Sequence, residues 1–99
     1  MFAAVVDDVT VGFLHVSDYD TILSRSPMKQ ITAMAVSASY RRIGIGTALV
    51  RRAERWAKES GAAGLILHAD AEGGGLAFFA ACGYGSEPAA SLMQKLFDA

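Results

Sequence analysis

Apolar positions along this chain follow two different periods, and the changes between them predict its elements. Short apolar runs rich in β-branched and aromatic residues predict strands at residues 2–6, 9–16 and 30–36. Apolar residues then recur every three or four positions, which predicts an amphipathic helix over residues 47–60. Later segments predict a fourth strand at 64–70, a short helix at 76–82, a brief strand at 84–86 and a last strand at 91–97.

Polar and glycine-rich segments connect these elements. An Asp7-Asp8 turn predicts a hairpin, Gly61 is placed to end the long helix, and residues 17–29 form a polar connection with one helical turn. The order β-β-β-α-β-α-β predicts a mixed-sheet α/β fold, one domain over residues 1–99. We expect a right-handed parallel crossover over residues 30–70 and a third strand covered on both faces.

The long helix has a recognisable internal pattern. Its predicted buried stripe consists of Leu49, Ala53, Trp56 and Ala57. Glu54 and Lys58 stand four positions apart in the favourable order, which predicts an ion pair on the helix surface.

The segment before that helix carries the most informative chemistry. It combines Arg41 and Arg42 with two glycines, Gly44 and Gly46, between a strand and a helix. Glycine lets a backbone approach a ligand closely, and the first amides of a helix, with its dipole, favour an anion. The pattern lacks the lysine of a Walker A loop and the third glycine of a dinucleotide-binding fingerprint. The sequence therefore predicts a phosphate-binding turn, with a tight structural turn as the alternative.

Composition narrows the function classes. The 99 residues are 53% hydrophobic with a net charge of −1, so the chain can bury a core and has no global attraction for nucleic acid or an acidic membrane. Six of the nine Lys and Arg residues lie between Arg41 and Lys58, which is a basic face or an ordinary solvated helix surface. One cysteine excludes an internal disulfide, and with no signal-peptide pattern we expect a cytoplasmic protein.

The Arg41-x-x-Gly44-x-Gly46 string resembles the acyl-CoA-binding motif of the Gcn5-related N-acetyltransferase family. Residues 78–84, Phe-Phe-Ala-Ala-Cys-Gly-Tyr, resemble a later segment of the same family. The resemblance implies that acetyl-CoA is the co-substrate and that the enzyme transfers the acetyl group directly to an amine, with a backbone amide polarising the acyl carbonyl. It implies that CoA contacts the following residues: Met34, Ala35, Val36, Arg41, Arg42, Gly44, Ile45, Gly46, Thr47 and Phe79.

Three residues are candidates for the catalytic base. His68 shares a strand face with Asp70 near the end of the fourth strand, and imidazole titrates near neutral pH. His15 lies on the hairpin, and Glu72 would act through a water molecule. For each, a structural role is the alternative; for His68 it is a hydrogen bond to a backbone carbonyl. No His, Cys or Asp spacing predicts a metal site, and Cys82 is expected to pack in the core.

Departures from the family pattern leave a second function open. Phe79 stands where the family commonly has a tyrosine that protonates the leaving thiolate, and the third strand lacks the common glutamate base. The chain also begins where the family usually has its second strand, so we expect an open acceptor site or one that a partner completes. The alternatives to an N-acetyltransferase are a non-catalytic CoA-binding or scaffolding module and an unrelated nucleotide-phosphate binder. We expect a homodimer, with a small molecule or peptide as the amine acceptor.

Overall fold

The computed structural model describes residues 1–19, 27–41, 43–68, 75–86 and 92–97. The strands are β1 (Phe2–Val6), β2 (Val9–Tyr19), β3 (Met28–Val36), β4 (Gly64–His68), β5 (Gly85–Ser86) and β6 (Leu92–Leu96). The helices are α1 (Ile45–Glu59) and α2 (Gly75–Ala81), and a single 3-10 turn spans Ala38–Tyr40. This order confirms the predicted α/β class.

One six-stranded sheet organises the chain, in the order β1-β2-β3-β4-β6-β5. β3 and β4, which precede and follow α1 in the chain, pair in parallel, as the predicted crossover requires. All other neighbouring strands are antiparallel. The β1–β2 hairpin turns at Asp7 and Asp8, whose φ angles of 49° and 65° fit a two-residue type I′ turn.

The core lies between one face of the sheet and α1. Leu49, Ala53 and Ala57 are buried against Leu14, Leu65 and other sheet residues, and Trp56 packs at the margin of this core, so the predicted stripe is confirmed. β3 is central in the sheet, but the prediction that both its faces are covered is wrong. Its Thr32, Ala33 and Ala35 are exposed, because α1 covers only the other face.

The ends of several strands and of the long helix differ from the predicted ones. β2 continues to Tyr19 and β3 begins at Met28, because their antiparallel ladder extends to the Tyr19–Met28 pair. Both ends of the connection predicted for residues 17–29 therefore belong to strands. The helical turn predicted around Tyr19, Ile22 and Leu23 therefore fails at Tyr19, while residues 22 and 23 lie outside the described ranges. α1 begins two residues early, at Ile45, because Gly44 caps it in a left-handed conformation.

In the part of the chain that the structure describes, no helix has the length and apolar character needed to cross a membrane.

Candidate functional site

The site begins where β3 and β4 separate. Their parallel pairing ends at Ile31 and Leu67, and among the described residues no strand occupies the β4 side of β3 beyond that point. The cause is a bulge, because His15 pairs with Ala33 and Val16 with Ile31, which leaves Thr32 as an extra residue in β3. A bulge bends its strand and increases the local twist. The result is a fork between β3 and β4.

The open edge of β3 offers backbone hydrogen-bonding groups. The Ser37 amide donates to the Val11 carbonyl oxygen at 2.7 Å, so this pair is a hydrogen-bonded position of the β2–β3 ladder. Backbone groups alternate in direction along an antiparallel strand, so the N–H and C=O of Met34 and Val36 point away from β2. They therefore face the fork, where an extended ligand can pair with them as an added strand does, although the Val36 carbonyl oxygen already accepts one hydrogen bond from Arg41.

Beyond β3 the chain turns sharply into α1. Arg41 folds back over this turn, and its Nε donates to the Val36 carbonyl oxygen at 3.0 Å. Gly44 has a φ of 91°, a conformation that glycine adopts without strain. The first helical bond runs from the Ala48 amide to the Gly44 carbonyl oxygen at 2.9 Å, so the amides of residues 45–47 form the open N-terminus of a 15-residue helix. An open helix N-terminus of this kind can bind an anion, and binding at this turn stays a prediction.

Gly46 has a packing reason that the sequence does not reveal. A Cβ atom there would lie 3.2 Å from Cζ of Phe78, so α2 approaches the first turn of α1 closely. Phe79, the next residue of α2, is only 8% exposed and packs edge-to-face against Phe78 and Tyr84. It belongs to the core behind the turn, and its predicted CoA contact stays a prediction.

The candidate catalytic bases differ in their location and in their hydrogen-bond partners. His15 lies on the exposed face of the sheet, and its Nδ1 is hydrogen-bonded to Oγ1 of the bulge residue Thr32. Because Ile31 and Leu67 point into the core, the following residues, Thr32 and His68, point to that same exposed face. His15, Thr32 and His68 therefore lie on the same exposed face of three adjacent strands, and His15 and Thr32 are in direct contact. Glu72, Arg42 and Asp70 lie outside the described residues.

A cluster behind the turn, formed by Arg51, Glu54, Tyr84 and Lys95, was not predicted. The Glu54 carboxylate is buried and accepts hydrogen bonds from Nη1 of Arg51 at 2.9 Å, from Oη of Tyr84 at 2.9 Å and from Nζ of Lys95 at 3.2 Å. The predicted Glu54–Lys58 pair is therefore wrong, since the carboxylate turns inward and Lys58 lies over the ring of Phe97. A buried charge needs such partners, and the position of Glu54 on the margin of the apolar stripe was the available signal.

This cluster fixes the end of α2. Arg51 and Lys95 each donate to the Cys82 carbonyl oxygen, both at 3.1 Å, just beyond the last turn of α2. Burial alone would raise the pKa of Glu54, but the hydrogen bonds from Arg51, Tyr84 and Lys95 outweigh burial and lower it. Burial, and then the charge of Glu54, raise the pKa of Tyr84. The cluster therefore holds α2, and with it Phe78, against the first turn of α1.

Comparisons with known proteins agree with this arrangement. A family model described as "Acetyltransferase (GNAT) family" matches residues 1–84. No curated protein matches the chain. Among solved structures, an aminoglycoside acetyltransferase from an uncultured soil metagenomic sample, in complex with sisomicin, is 25% identical over 80% of this chain and 52% of its own, with a TM-score of 0.69.

Two further structures share the fold at lower identity. The PaiA N-acetyltransferase of Thermoplasma acidophilum, in complex with coenzyme A, is 19% identical over 96% of this chain and 58% of its own, with a TM-score of 0.76. Naa20 of Chaetomium thermophilum, in complex with a bisubstrate analogue, is 20% identical over 96% of this chain and 64% of its own, with a TM-score of 0.80. The chain thus spans between about half and two thirds of the length of these structures.

Proposed function

This chain belongs to the GNAT family of acetyltransferases, and we propose that it transfers an acetyl group from acetyl-CoA directly to an amine. One observation carries the proposal: the open edge of β3 leads straight into the phosphate-binding turn of α1. A ligand with an extended arm and a pyrophosphate at its end matches both parts, and CoA has this form.

The turn would hold the pyrophosphate of CoA. The amides of Ile45, Gly46 and Thr47 and the positive end of the α1 dipole supply partial charge, and the Arg41 guanidinium adds a full charge at the same position. Arginine suits phosphate oxygens because its donors form a planar fork. Arg42 is proposed to contribute as well, from its position in the same turn.

The edge of β3 would orient the acyl-bearing arm. The outward backbone groups of Met34 and Val36 match the amides of the pantetheine arm, with Ala35 between them. An N–H on this edge would donate to the carbonyl oxygen of the thioester and stabilise the negative charge that develops there. The thioester carbon then lies in the fork, beside the face that carries His68 and His15.

The reaction then needs a base and a leaving group. His68, or His15 oriented by Thr32, would accept a proton from the acceptor ammonium, and the neutral amine would attack the thioester carbon. The tetrahedral intermediate would lose the second proton of its nitrogen to water and collapse with cleavage of the C–S bond, releasing the neutral amide product and CoA thiolate. Because Phe79 is a buried hydrocarbon, the proton for the thiolate would come from water or from the histidine.

Calorimetric titration with acetyl-CoA tests the binding step. The first comparison is Thr47→Glu against Thr47→Gln, because Thr47 is exposed in the first turn of α1 and only the glutamate adds a charge that repels pyrophosphate. The second is Arg41→Ala against Arg55→Ala, an exposed arginine two turns further along α1. We expect Thr47→Glu and Arg41→Ala each to bind acetyl-CoA about tenfold or more weakly than its own control variant. Wild-type protein that is folded but does not bind acetyl-CoA would refute the proposal.

Turnover is tested by following CoA release with a thiol reagent over a panel of amines. The panel includes an aminoglycoside and peptides with a free N-terminus, because the structural relatives include an aminoglycoside acetyltransferase. Turnover that His68→Ala abolishes while acetyl-CoA still binds would establish His68 as catalytic. Binding without transfer to any amine would favour the alternative, a non-catalytic CoA-binding module, which the buried Phe79 already makes a serious candidate.

A further inference from the structure

One threonine hydroxyl at the bulge of β3 contacts two atoms of the same histidine. Oγ1 of Thr32 donates to the backbone carbonyl oxygen of His15 at 3.2 Å, and the same Oγ1 is hydrogen-bonded to Nδ1 of the His15 ring. Both side chains lie on the face of the sheet opposite α1, because the preceding residues, Leu14 and Ile31, are buried in the core. The hydroxyl therefore holds the imidazole ring in a defined position against β3.

The number of protons on the hydroxyl decides the direction of the second hydrogen bond. A threonine hydroxyl has one proton and two lone pairs. Because its proton is directed to the His15 carbonyl oxygen, Oγ1 meets Nδ1 with a lone pair. Two lone pairs that face each other repel, so the proton of this second bond comes from Nδ1. A neutral imidazole has only one ring proton, which leaves the lone pair on Nε2.

The contact lies where the two strands of the fork separate. The parallel ladder of β3 with β4 ends at Ile31, so Thr32 is the first residue of β3 beyond it. His15 pairs with Ala33, the next residue of β3, and the edge proposed to orient the acyl arm begins at Met34. His15 is thus level with the start of that edge and one strand away from it.

We infer that Thr32 holds neutral His15 in the Nδ1-protonated tautomer, and that Nε2 of His15 is the base of the acetyl transfer. The tautomer follows from the hydrogen bonds alone, while the role as base rests on the proposed function. Thr32 is then a positioning residue, which acts through His15 and does not itself react. A base that a third group orients is a recurring arrangement in catalysis.

This tautomer suits a base because the hydrogen bond to Thr32 survives the proton transfer. Nε2 would take a proton from the acceptor ammonium, directly or through one water molecule, and the amine nitrogen would keep the electron pair that attacks the thioester carbon. The imidazolium still has its proton on Nδ1, so the bond to Oγ1 needs no rearrangement. In the opposite tautomer the hydroxyl would donate to Nδ1, and protonation of that nitrogen would break the bond.

Nitrogen-15 NMR at about pH 8.5, where imidazole is neutral, tests the tautomer without any ligand. The chain has two histidines, so the spectrum of His68→Gln assigns the signals of His15. We expect the unprotonated nitrogen of His15 to be Nε2. Thr32→Val removes the hydroxyl at nearly constant shape and should shift the tautomer ratio about threefold or more toward the Nε2-protonated form.

Two matched variants control for the substitution itself. Thr32→Ser keeps the hydroxyl, and Thr10→Val makes the same change at an exposed threonine of β2, so both should keep the wild-type tautomer ratio. A protonated Nε2 in the wild-type chain would overturn the inference. The same ratio in Thr32→Val as in Thr10→Val would overturn it as well.

Steady-state kinetics with an acceptor from the amine panel test the role of the base. His15→Gln should lower kcat about 100-fold or more. Thr32→Val should lower kcat about fivefold or more, because the tautomer and the ring orientation are both lost, with acetyl-CoA affinity unchanged. Thr32→Ser should restore kcat, and Thr10→Val should retain it.

The kinetic results separate this inference from the proposed function. A loss of turnover in His68→Gln that exceeds the loss in His15→Gln would overturn the role of His15 as base. A chain that binds acetyl-CoA but acetylates no amine would refute the proposed transfer and that role together. The tautomer would still be decided by the NMR measurement, which needs no turnover.

Discussion

Replacing Glu54 by glutamine is the sharpest test of the buried cluster. Its side chain is 8% exposed and accepts hydrogen bonds from Arg51, Tyr84 and Lys95. Glutamine has nearly the same shape and keeps one acceptor oxygen, but it removes the negative charge. The two cations then remain beside a neutral amide, and an amide N–H group faces at least one donor.

The expected loss of stability in Glu54→Gln depends on how exposed Arg51 and Lys95 are. Removing one member of a fully buried ion pair costs about 3–5 kcal/mol. Here the side chains of Arg51 and Lys95 are 45% and 28% exposed, so water can partly solvate them after the change. We therefore expect a loss of about 2–3 kcal/mol in the free energy of unfolding, part of which is the broken charge-assisted bonding. With a urea m-value of about 1.5 kcal/mol/M, the unfolding midpoint falls by about 1.3–2 M.

The pH dependence gives an independent check with a definite sign. The folded-state pKa of Glu54 is lower than its ordinary value of 4.5, so its contribution is fully present above that pH and is lost as pH falls through the folded pKa. The difference in stability between the wild-type chain and Glu54→Gln should therefore narrow as pH falls below 4.5. The raised pKa of Tyr84 affects stability at alkaline pH. Its contribution to the free energy of unfolding is present below about pH 10 and is lost above it.

Urea unfolding followed by circular dichroism at pH 7 and below pH 4 measures both effects. The matched control is Glu59→Gln, which removes an exposed carboxylate from the same helix and should change stability by less than about 0.5 kcal/mol. The reasoning fails if Glu54→Gln is as stable as Glu59→Gln at pH 7. It also fails if the deficit of Glu54→Gln persists undiminished in acid.

Three further predictions concern single positions. Gly64→Ala should lower the free energy of unfolding by about 3–5 kcal/mol, because its Cβ would lie 2.2 Å from the Lys95 backbone oxygen across the β4–β6 ladder. The control is Gly85→Ala, whose Cβ would have nothing within 4 Å. Equal melting temperatures for the two variants would contradict this geometry. Gly44→Ala should cost about 1–2 kcal/mol through its φ of 91° alone, and Gly44→Asn should cost less, so the reverse order would show that another effect dominates. Cys82 is 4% exposed and burial raises its pKa, so its thiol should react slowly with a thiol reagent at pH 7 in the native chain. The labelling rate should rise with urea concentration as the unfolded fraction rises. Rapid labelling of the native chain would refute this.

Much of the fold could be predicted because its signals are local. The hairpin follows from two acidic residues between apolar runs, and the α1 stripe follows from spacing alone. The turn before α1 is also local, since the end of β3, a glycine with positive φ and the start of the helix lie close together in the chain. The boundaries of β2 and β3 were less predictable, because each strand extends as far as its partner does.

The fork and the partner of Glu54 depend on residues far apart in sequence. Nothing around Thr32 marks it as a bulge; it becomes one because β3 must align with β2 on one side and with β4 on the other. Glu54 follows the surface pattern of its helix, and only the docking of β6 and of the end of α2 brings Lys95 and Tyr84 to it.

The sequence by itself determined the helix, the hairpin and the turn before α1, because each depends on the conformation and spacing of neighbouring residues. The tertiary structure decided where β3 and β4 separate, which residues share the exposed face there, and why Gly46 has no side chain, since Phe78 of α2 packs against it. The physical reason is the same in each case. Pairing of strands and burial of charge are satisfied between elements, and a linear pattern does not specify which elements meet.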